Sequence, residues 1–313
     1  MPARRDPLSP LLAGGRVVVI DGGLATELEH AGHDLRDGLW SARLLADQPE
    51  AIVAAHLAYF RAGARVAITA SYQATFQGFA ARGLDRAAAA GLLRRSVELA
   101  GEARARYRAE RAPADPGPLL VAASVGPYGA WLADGAEYRG RYGLERRALC
   151  DFHRERLEVL WSASPDLLAC ETIPDLVEVE ALADLVHEAA ATAWLTFSCA
   201  DGGHLRDGTP VEEAAAIADA TPGLVAVGVN CTAPEHVEEL VARIAATTPK
   251  PIVVYPNTGE SWEAGTGRWL AATGPDVDAT SARRWVAAGA RLVGGCCRVG
   301  PARIRELAAS LGS

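Results

Sequence analysis

Lysine is almost absent from this chain of 313 residues, since Lys250 is the only one. It stands just before the apolar run that begins at Ile252, so we place it at the start of a strand. In a barrel built from parallel strands, that position is at the end opposite the active site. Schiff-base aldolases and pyridoxal phosphate enzymes need an active-site lysine. The sequence therefore excludes these two chemistries.

Other missing features exclude further classes of protein. No apolar stretch approaches the roughly 20 residues that a membrane-spanning helix needs, and no apolar signal segment precedes Leu11. The net charge of -8 argues against a nucleic-acid partner, which would require a basic face. Half of the residues are hydrophobic, which is enough for a large core. We expect a cytoplasmic protein, and its six cysteines are expected to be reduced rather than paired in disulfides.

Eight short apolar runs alternate with helical patterns along the chain. They cover residues 16–20, 66–69, 119–124, 167–172, 194–198, 224–229, 252–255 and 292–293. Alternating strands and helices predict a parallel sheet, and eight such units are the number that closes a (β/α)8 TIM-type barrel. An open doubly wound sheet is the alternative, but the first strand lacks the Gly-x-Gly-x-x-Gly turn of dinucleotide-binding folds. We predict a single barrel domain over residues 16–313, preceded by a flexible lead-in of residues 1–15.

Three cysteines follow predicted strands. Cys231 ends the run Gly-Val-Asn-Cys, and Cys296 and Cys297 follow two glycines, Gly294 and Gly295. Neighbouring side chains on a strand point to opposite faces, so both sulfurs reach one ion only if the glycines allow a tight turn, possibly with positive φ. Zinc favours thiolate ligands, and three protein ligands leave a fourth position open for substrate. Cys231, Cys296 and Cys297 are therefore predicted to bind a metal, and their thiolates favour zinc. Cys199, which lies just past a strand end, is a weaker rival as a ligand.

Other polar residues stand at predicted strand ends, where a barrel carries its active site. They are Asp21, Thr69, Ser71, Tyr72, Ser124, Glu171, Ser198, Asn230, Tyr255 and Asn257. Asp21 precedes two glycines and is nearly as well explained as a turn former, and a structural role also explains Asn230 and Tyr255. Glu171 follows Leu-Leu-Ala-Cys, so its carboxylate is expected to be half buried and to need a partner.

Several of these segments together resemble the zinc-dependent homocysteine S-methyltransferase family over about residues 17–310. The matching segments are Asp21 to Leu28, Thr69 to Thr75, Cys170 to Thr172, Gly228 to Cys231, Tyr255 to Asn257 and Gly294 to Cys297. The resemblance implies a (β/α)8 barrel with zinc on the three cysteines, and it places Asp21 and Glu171 at the amino group of homocysteine. The substrate-binding set expected from it is Asp21, Gly22, Thr69, Ser71, Tyr72, Glu171 and Asn230.

The reaction that the resemblance implies is methyl transfer from a sulfonium donor to the thiolate of homocysteine, giving methionine. We rank S-methylmethionine first as the donor and S-adenosylmethionine second, and we expect a monomer or a small homo-oligomer. One alternative is a redox-sensing barrel without catalysis, and another is a methyltransferase with a different thiol or a selenol acceptor. Metal-assisted hydrolysis is a weaker alternative, because no histidine stands beside the cysteines as a general base.

Overall fold

The computed structural model describes residues 6–35, 40–114, 117–258, 261–263, 268–270 and 276–312. The strands are β1 (Val18–Val19), β2 (Val66–Ile68), β3 (Leu120–Val125), β4 (Leu167–Ile173), β5 (Ala193–Phe197), β6 (Leu224–Asn230), β7 (Ile252–Tyr255), β8 (Ser261–Glu263), β9 (Arg268–Leu270) and β10 (Ala290–Val293). The α-helices are α1 (Ser9–Leu12), α2 (Leu24–His30), α3 (Trp40–Asp47), α4 (Pro49–Ala62), α5 (Phe76–Ala80), α6 (Arg86–Arg111), α7 (Tyr128–Leu132), α8 (Arg146–Ser162), α9 (Leu176–Glu188), α10 (Val211–Ala220), α11 (Pro234–Thr247), α12 (Ala279–Ala288) and α13 (Pro301–Leu311).

Eight strands form one parallel sheet, in the order β1-β10-β7-β6-β5-β4-β3-β2. Two backbone hydrogen bonds join the outermost strands of that order: Arg65 N donates to Val19 O at 2.7 Å, and Asp21 N donates to Val66 O at 3.1 Å. The sheet therefore closes on itself, and the predicted (β/α)8 barrel is confirmed. In the described part of the chain, no helix combines the length and the apolar composition needed to cross a membrane.

Local sequence signals explain where many of the helices begin. Asp85, Asp175 and Asp278 each accept a hydrogen bond from a backbone N–H in the first turn of α6, α9 and α12. Such caps satisfy donors that have no partner inside the helix. Proline occupies the first turn of α4, α11 and α13, where its missing N–H costs nothing. The helix boundaries therefore follow from short-range chemistry.

Alternation along the strands divides the core into two layers. In β4, Leu167 and Ala169 belong to the apolar cluster inside the barrel, whereas Leu168 and Cys170 belong to the cluster between the sheet and the helices. Side chains of successive strand residues point to opposite faces. The same alternation turns Glu171 toward the barrel interior and Cys170 toward the helix layer.

The amino-terminal segment contributes to the barrel interior. Within the predicted lead-in, α1 is followed by a 3-10 helix at Ala13–Gly15, and residues 1–5 lie outside the described residues. Leu8 and Leu11 are buried in the same cluster as the inward-facing strand residues, and Leu12 lies beside Pro251 and Arg291, where β7 and β10 begin. Apolar side chains thus cover this end of the barrel, and the domain boundary at residue 16 stays a prediction.

Lys250 lies at the same end of the barrel, as predicted. Its Nζ donates hydrogen bonds to Ala218 O at 2.6 Å and to Thr221 O at 3.2 Å, at the end of α10. These carbonyls close the last turn of the helix, where cations are favoured. The only lysine is therefore engaged in structure, away from the carboxyl ends of the strands.

We expect Gly228→Ala to be strongly destabilising. Gly228 lies in β6, and a Cβ there would overlap the backbone carbonyl of Val253 in β7, which cannot move without disturbing the sheet. The free energy of unfolding should fall by about 3 kcal/mol, the upper range for overpacking. Gly101→Ala in α6 is the control, because no atom lies within 4 Å of its added Cβ. That change should raise stability by roughly 0.5–1 kcal/mol. Urea unfolding measures the free energy of unfolding of both variants. Equal values for Gly228→Ala and Gly101→Ala would contradict this prediction.

Candidate active site

Three cysteine sulfurs converge at the carboxyl ends of β6 and β10. Cys231 follows β6 directly and has a φ of 45°, a left-handed conformation that is uncommon for a residue with a side chain. Cys296 and Cys297 follow β10 after the two glycines. The Sγ atoms of the three residues all lie within 4.8 Å of one another. The predicted convergence of these cysteines is therefore seen in the structure.

The two glycines serve this convergence in a different way from the one predicted. Neither Gly294 nor Gly295 has a positive φ; Cys231 and Arg298 carry that conformation instead. A Cβ at Gly294 would collide with Ile20 and with the carbonyl of Asp21, and a Cβ at Gly295 would collide with Val299. The glycines thus permit close approach between chain segments rather than an unusual backbone angle.

One pair of these cysteines is oxidised in the structure. Cys231 and Cys296 form a disulfide, with their Cα atoms 5.7 Å apart. The expectation that all six cysteines are reduced is wrong for this pair, because the two strand ends hold the Cα atoms at a separation usual for disulfides. Metal binding requires thiolates. The same two sulfurs can therefore ligate a metal only after reduction.

The donor set fits a thiophilic cation such as zinc. Sulfur-only ligands favour zinc over hard cations such as magnesium or calcium, and three ligands leave one position open. Burial raises the pKa of Cys297 to about 11, and a hydrogen bond with Tyr138 opposes that shift. A bound divalent cation would ionise such a thiol. Among the described residues, this is the only cluster of cysteine, histidine or acidic side chains close enough to hold an ion.

A cavity at the barrel mouth opens onto the cysteines. It is lined by most of the residues predicted for the site: Gly22, Thr69, Tyr72, Glu171, Cys231, Cys296 and Cys297. Three predicted residues, Asp21, Ser71 and Asn230, lie behind this lining and are fully buried. The structure thus collects the predicted substrate residues in and immediately around one cavity.

Two carboxylates, those of Asp21 and Glu171, lie near each other beside this cavity, and no cationic side chain of the described residues pairs with either. Asp21 Oδ2 accepts a hydrogen bond from Ile68 N at 2.7 Å, but Oδ1 is buried and has no hydrogen-bond partner among the described residues. Burial raises the pKa of Asp21, and the nearby Glu171 raises it further. Burial also raises the pKa of Glu171 to about 7, although hydrogen bonds with Ser124 and Tyr255 oppose this. Two buried acids that lack a cation are suited to bind an ammonium group.

Hydroxyl groups tie the neighbouring strand ends together. Thr69 Oγ1 lies 2.8 Å from Ser71 Oγ and accepts from Ser124 N at 3.0 Å. Ser71 Oγ donates to Ser124 O at 2.8 Å, and Ser124 Oγ donates to Glu171 Oε1. This network runs from β2 through β3 to β4. It fixes the position of the Glu171 carboxylate.

Asn230 is held by neighbouring strands. Its Oδ1 accepts from Thr172 N at 2.7 Å and from Thr196 Oγ1 at 2.8 Å, and its Nδ2 donates to Thr172 Oγ1 at 2.7 Å. Thr172 has a φ of 63°, so these bonds support an unfavourable backbone angle beside Glu171. The geometry suits a residue that shapes the end of β4, which is the structural alternative considered for Asn230.

Tyr138 is a site residue that no sequence pattern predicted. It belongs to a 3-10 helix, Ala136–Tyr138, that follows α7. Tyr138 lines the cavity and hydrogen bonds with Cys297. The aromatic and glycine-rich composition of residues 128–143 is typical of a long loop, but composition does not identify which of its side chains points inward.

Comparisons with known proteins agree with this geometry. The model of the family described as homocysteine S-methyltransferase matches residues 18–311. The Bacillus subtilis homocysteine S-methyltransferase YbgG is 47% identical, with 97% of each chain covered. The Escherichia coli homocysteine methyltransferase MmuM, solved in a metallated form, is 48% identical with a TM-score of 0.88, covering 97% of this chain and 99% of that one.

A relative with a different named acceptor matches almost as well. The selenocysteine Se-methyltransferase of Brassica oleracea var. italica is 45% identical, covering 94% of this chain and 88% of the plant protein. The full-length matches, the barrel and the cysteine cluster at its mouth lead to one assignment. The chain belongs to the homocysteine S-methyltransferase family.

Proposed function

We propose that the protein transfers a methyl group from a sulfonium donor to the thiolate of homocysteine, giving methionine, with zinc on Cys231, Cys296 and Cys297. S-methylmethionine is the first choice of donor and S-adenosylmethionine the second. The observation that carries the proposal is the grouping of three sulfurs within 4.8 Å beside one cavity. We further propose that the protein acts in the cytoplasm.

Zinc, when bound, supplies the positive charge that ionises the homocysteine thiol at neutral pH. The three cysteines bring three negative charges to a divalent ion, so the site as a whole remains anionic. An anionic site keeps the attacking sulfur electron-rich. The burial of Cys231 and the partial burial of Cys296 and Cys297 strengthen this effect, because low dielectric increases electrostatic interactions.

Asp21 and Glu171 orient the acceptor. Their paired charge, with one unpartnered oxygen on Asp21, suits the ammonium group of homocysteine. Because strand ends fix both carboxylates, the ammonium anchors the amino acid at a set distance from the cysteine cluster. Holding two reactants at a fixed distance and orientation itself increases the reaction rate greatly.

The charge change in the reaction suits a cavity that excludes water. The attacking sulfur is anionic and the donor is cationic, and both charges are lost as the methyl group moves. Water would stabilise the separated charges of the reactants more than the transition state, so a dry site favours transfer. No protein group has to accept a proton in this step.

The test is metal content measured together with activity. Protein is purified under reducing conditions without chelator, its metals are measured by mass spectrometry, and homocysteine methylation is assayed with each sulfonium donor. We expect about one zinc per chain and methionine formation that is faster with S-methylmethionine. Reduced protein that takes up no zinc when reloaded, or zinc-loaded protein inactive with both donors, would contradict the proposal.

The selenol alternative is tested in the same assay. The plant relative named as a selenocysteine methyltransferase motivates a competition between homocysteine and selenocysteine. We expect homocysteine to be preferred, because the family model and the more similar relatives carry its name.

The redox-sensing barrel without catalysis is not supported by membership in an enzyme family. The disulfide between Cys231 and Cys296 makes the reductant an essential part of the assay.

A further inference from the structure

Two loops at the barrel mouth lie backbone against backbone. The Asp21 loop, residues 21–23, follows β1 and carries a carboxylate proposed to bind the ammonium group. The cysteine loop, residues 294–299, follows β10 and carries two of the three sulfurs. A hydrogen bond from Gly23 N to Val299 O, at 3.0 Å, joins the two loops. The two parts of the acceptor site therefore belong to adjoining segments of backbone.

The close approach of these loops depends on glycine. A Cβ at Gly22 would lie 2.2 Å from Val299 O, and a Cβ at Gly23 would lie 2.6 Å from Cys296 O. Both oxygens belong to the backbone of the cysteine loop, so a larger residue at either position would push the loops apart. The glycines also leave the Asp21 loop without a side chain at this contact. A side chain that joins the two loops must therefore come from another element.

Tyr59 of α4 joins the two loops. Its hydroxyl donates to Gly23 O at 2.8 Å and to Val299 O at 3.1 Å, so one hydrogen is shared between a carbonyl of each loop. The side chain is completely buried. Burial raises the pKa of Tyr59, and the carboxylates of Asp21 and Glu27 raise it further. The phenol therefore stays protonated and able to donate.

We propose that Tyr59 is a positioning residue that fixes the distance between the ammonium site at Asp21 and the sulfur cluster. This proposal rests on the function proposed above, in which one homocysteine molecule occupies both places at once. Tyr59 lies behind the residues that line the cavity, so it acts through the two loops and not on the substrate. Two contacts to one ligand reinforce each other only when their spacing matches the ligand.

Three related ligands separate the spacing of the two sites from the quality of each site. Homocysteine has both an ammonium group and a thiol. The compound 4-mercaptobutanoate has the thiol without the ammonium group, and 2-aminobutanoate has the ammonium group without the thiol. A change in the distance between the loops should weaken homocysteine and spare the two single-contact ligands. Damage to one site would instead weaken the ligand that uses that site.

The test is Tyr59→Phe, which removes the hydroxyl and keeps the ring. We expect kcat/KM for homocysteine to fall by about 10- to 100-fold, the cost of misplacing a reactant by up to roughly 1 Å. Zinc content and the inhibition constants of 4-mercaptobutanoate and 2-aminobutanoate, measured in the same methylation assay, should stay within about twofold. Tyr107→Phe in α6 is the matched control and should behave as wild type. The ring of Tyr107 stacks on Phe60, the neighbour of Tyr59 in α4, with the ring centroids 5.9 Å apart.

Several outcomes would overturn the proposal. One is an unchanged kcat/KM for homocysteine in Tyr59→Phe. Another is loss of zinc, or an inhibition constant for either single-contact ligand that rises as much as homocysteine is weakened, because the hydroxyl would then support one site and not the spacing. Wild-type protein that 2-aminobutanoate does not inhibit would overturn the ammonium site and this proposal with it. Wild-type protein that methylates homocysteine with neither donor would overturn the proposed function instead.

A second variant decides the question if Tyr59→Phe does not fold. Thr26 Oγ1, in α2 just after the Asp21 loop, accepts a hydrogen bond from Arg298 N of the cysteine loop at 2.9 Å. Thr26→Val removes this bond and keeps the shape of the side chain. It should weaken homocysteine and spare both single-contact ligands. Equal effects on all three ligands, or none on homocysteine, would contradict the proposal.

Discussion

Replacing Cys297 by alanine should abolish both zinc binding and methyl transfer while the barrel stays folded. Cys297 is one of three sulfurs grouped within 4.8 Å, and removing one leaves two thiols, too few for a stable open zinc site. A metal that ionises a nucleophile contributes several kcal/mol, so kcat/KM for homocysteine should fall by about 10³-fold or more. Metal analysis, circular dichroism and the methylation assay measure the three properties on one preparation.

Cys150→Ala is the matched control for this experiment. Cys150 is buried, whereas Cys297 is partly exposed, and it lies in α8, where its sulfur contacts Ala181 O at 3.7 Å. It is not part of the sulfur cluster. We expect this variant to keep its zinc and its activity. A Cys297→Ala protein that retained full activity without zinc would refute the role of the metal.

Replacing Glu171 by glutamine should remove the recognition of the acceptor's amino group. The wild type should prefer homocysteine to 4-mercaptobutanoate, the same thiol without the ammonium group, and the variant should lose most of that preference. A buried charged hydrogen bond contributes about 1.5–3 kcal/mol, so kcat/KM for homocysteine should fall by roughly 10- to 100-fold. The value for 4-mercaptobutanoate should change little. A uniform decrease for both thiols would mean that Glu171 does not read the ammonium group.

The same variant should change the pH profile. Burial raises the pKa of Glu171 to about 7, and only the ionised carboxylate binds an ammonium strongly. Protonation therefore weakens binding as the pH falls, so kcat/KM for homocysteine should decline on the acid side at or below about pH 7. In Glu171→Gln this decline should weaken, and the part that remains reports Asp21, whose pKa burial also raises. Glu178→Gln is the control: burial raises the pKa of Glu178 to about 7 as well, but its carboxylate binds His153 and Tyr128 N.

Strand periodicity and strand ends were enough to predict most of the site. Cys231, Cys296, Cys297 and Glu171 directly follow or end apolar runs, and parallel strands of a barrel deliver such residues to one rim. Asn230 shows the limit of this reasoning. Asn230 also stands at the end of an apolar run, but its side-chain amide is hydrogen bonded to Thr172 and Thr196. Those bonds depend on the register of three strands.

Residues outside the strands could not be placed from the sequence. Tyr138 reaches the cavity because a turn of 3-10 helix follows α7, and no periodic pattern encodes that path. The oxidised pair, Cys231 and Cys296, depends on a Cα separation across two strand ends that are 65 residues apart in the chain. Leu8 and Leu11 lie in a polar segment, and only the open end of the barrel explains why they are buried.

The position of Lys250 has a practical consequence for handling the protein. Its amine is the only one on any side chain, and it lies at the end of the barrel opposite the cysteine cluster. Burial lowers the pKa of this amine, which favours its nucleophilic form. Acylating reagents that target lysine therefore have a single side chain to modify. Molecules attached to a sensor surface or a bead through Lys250 would share one orientation, with the cavity facing the solution.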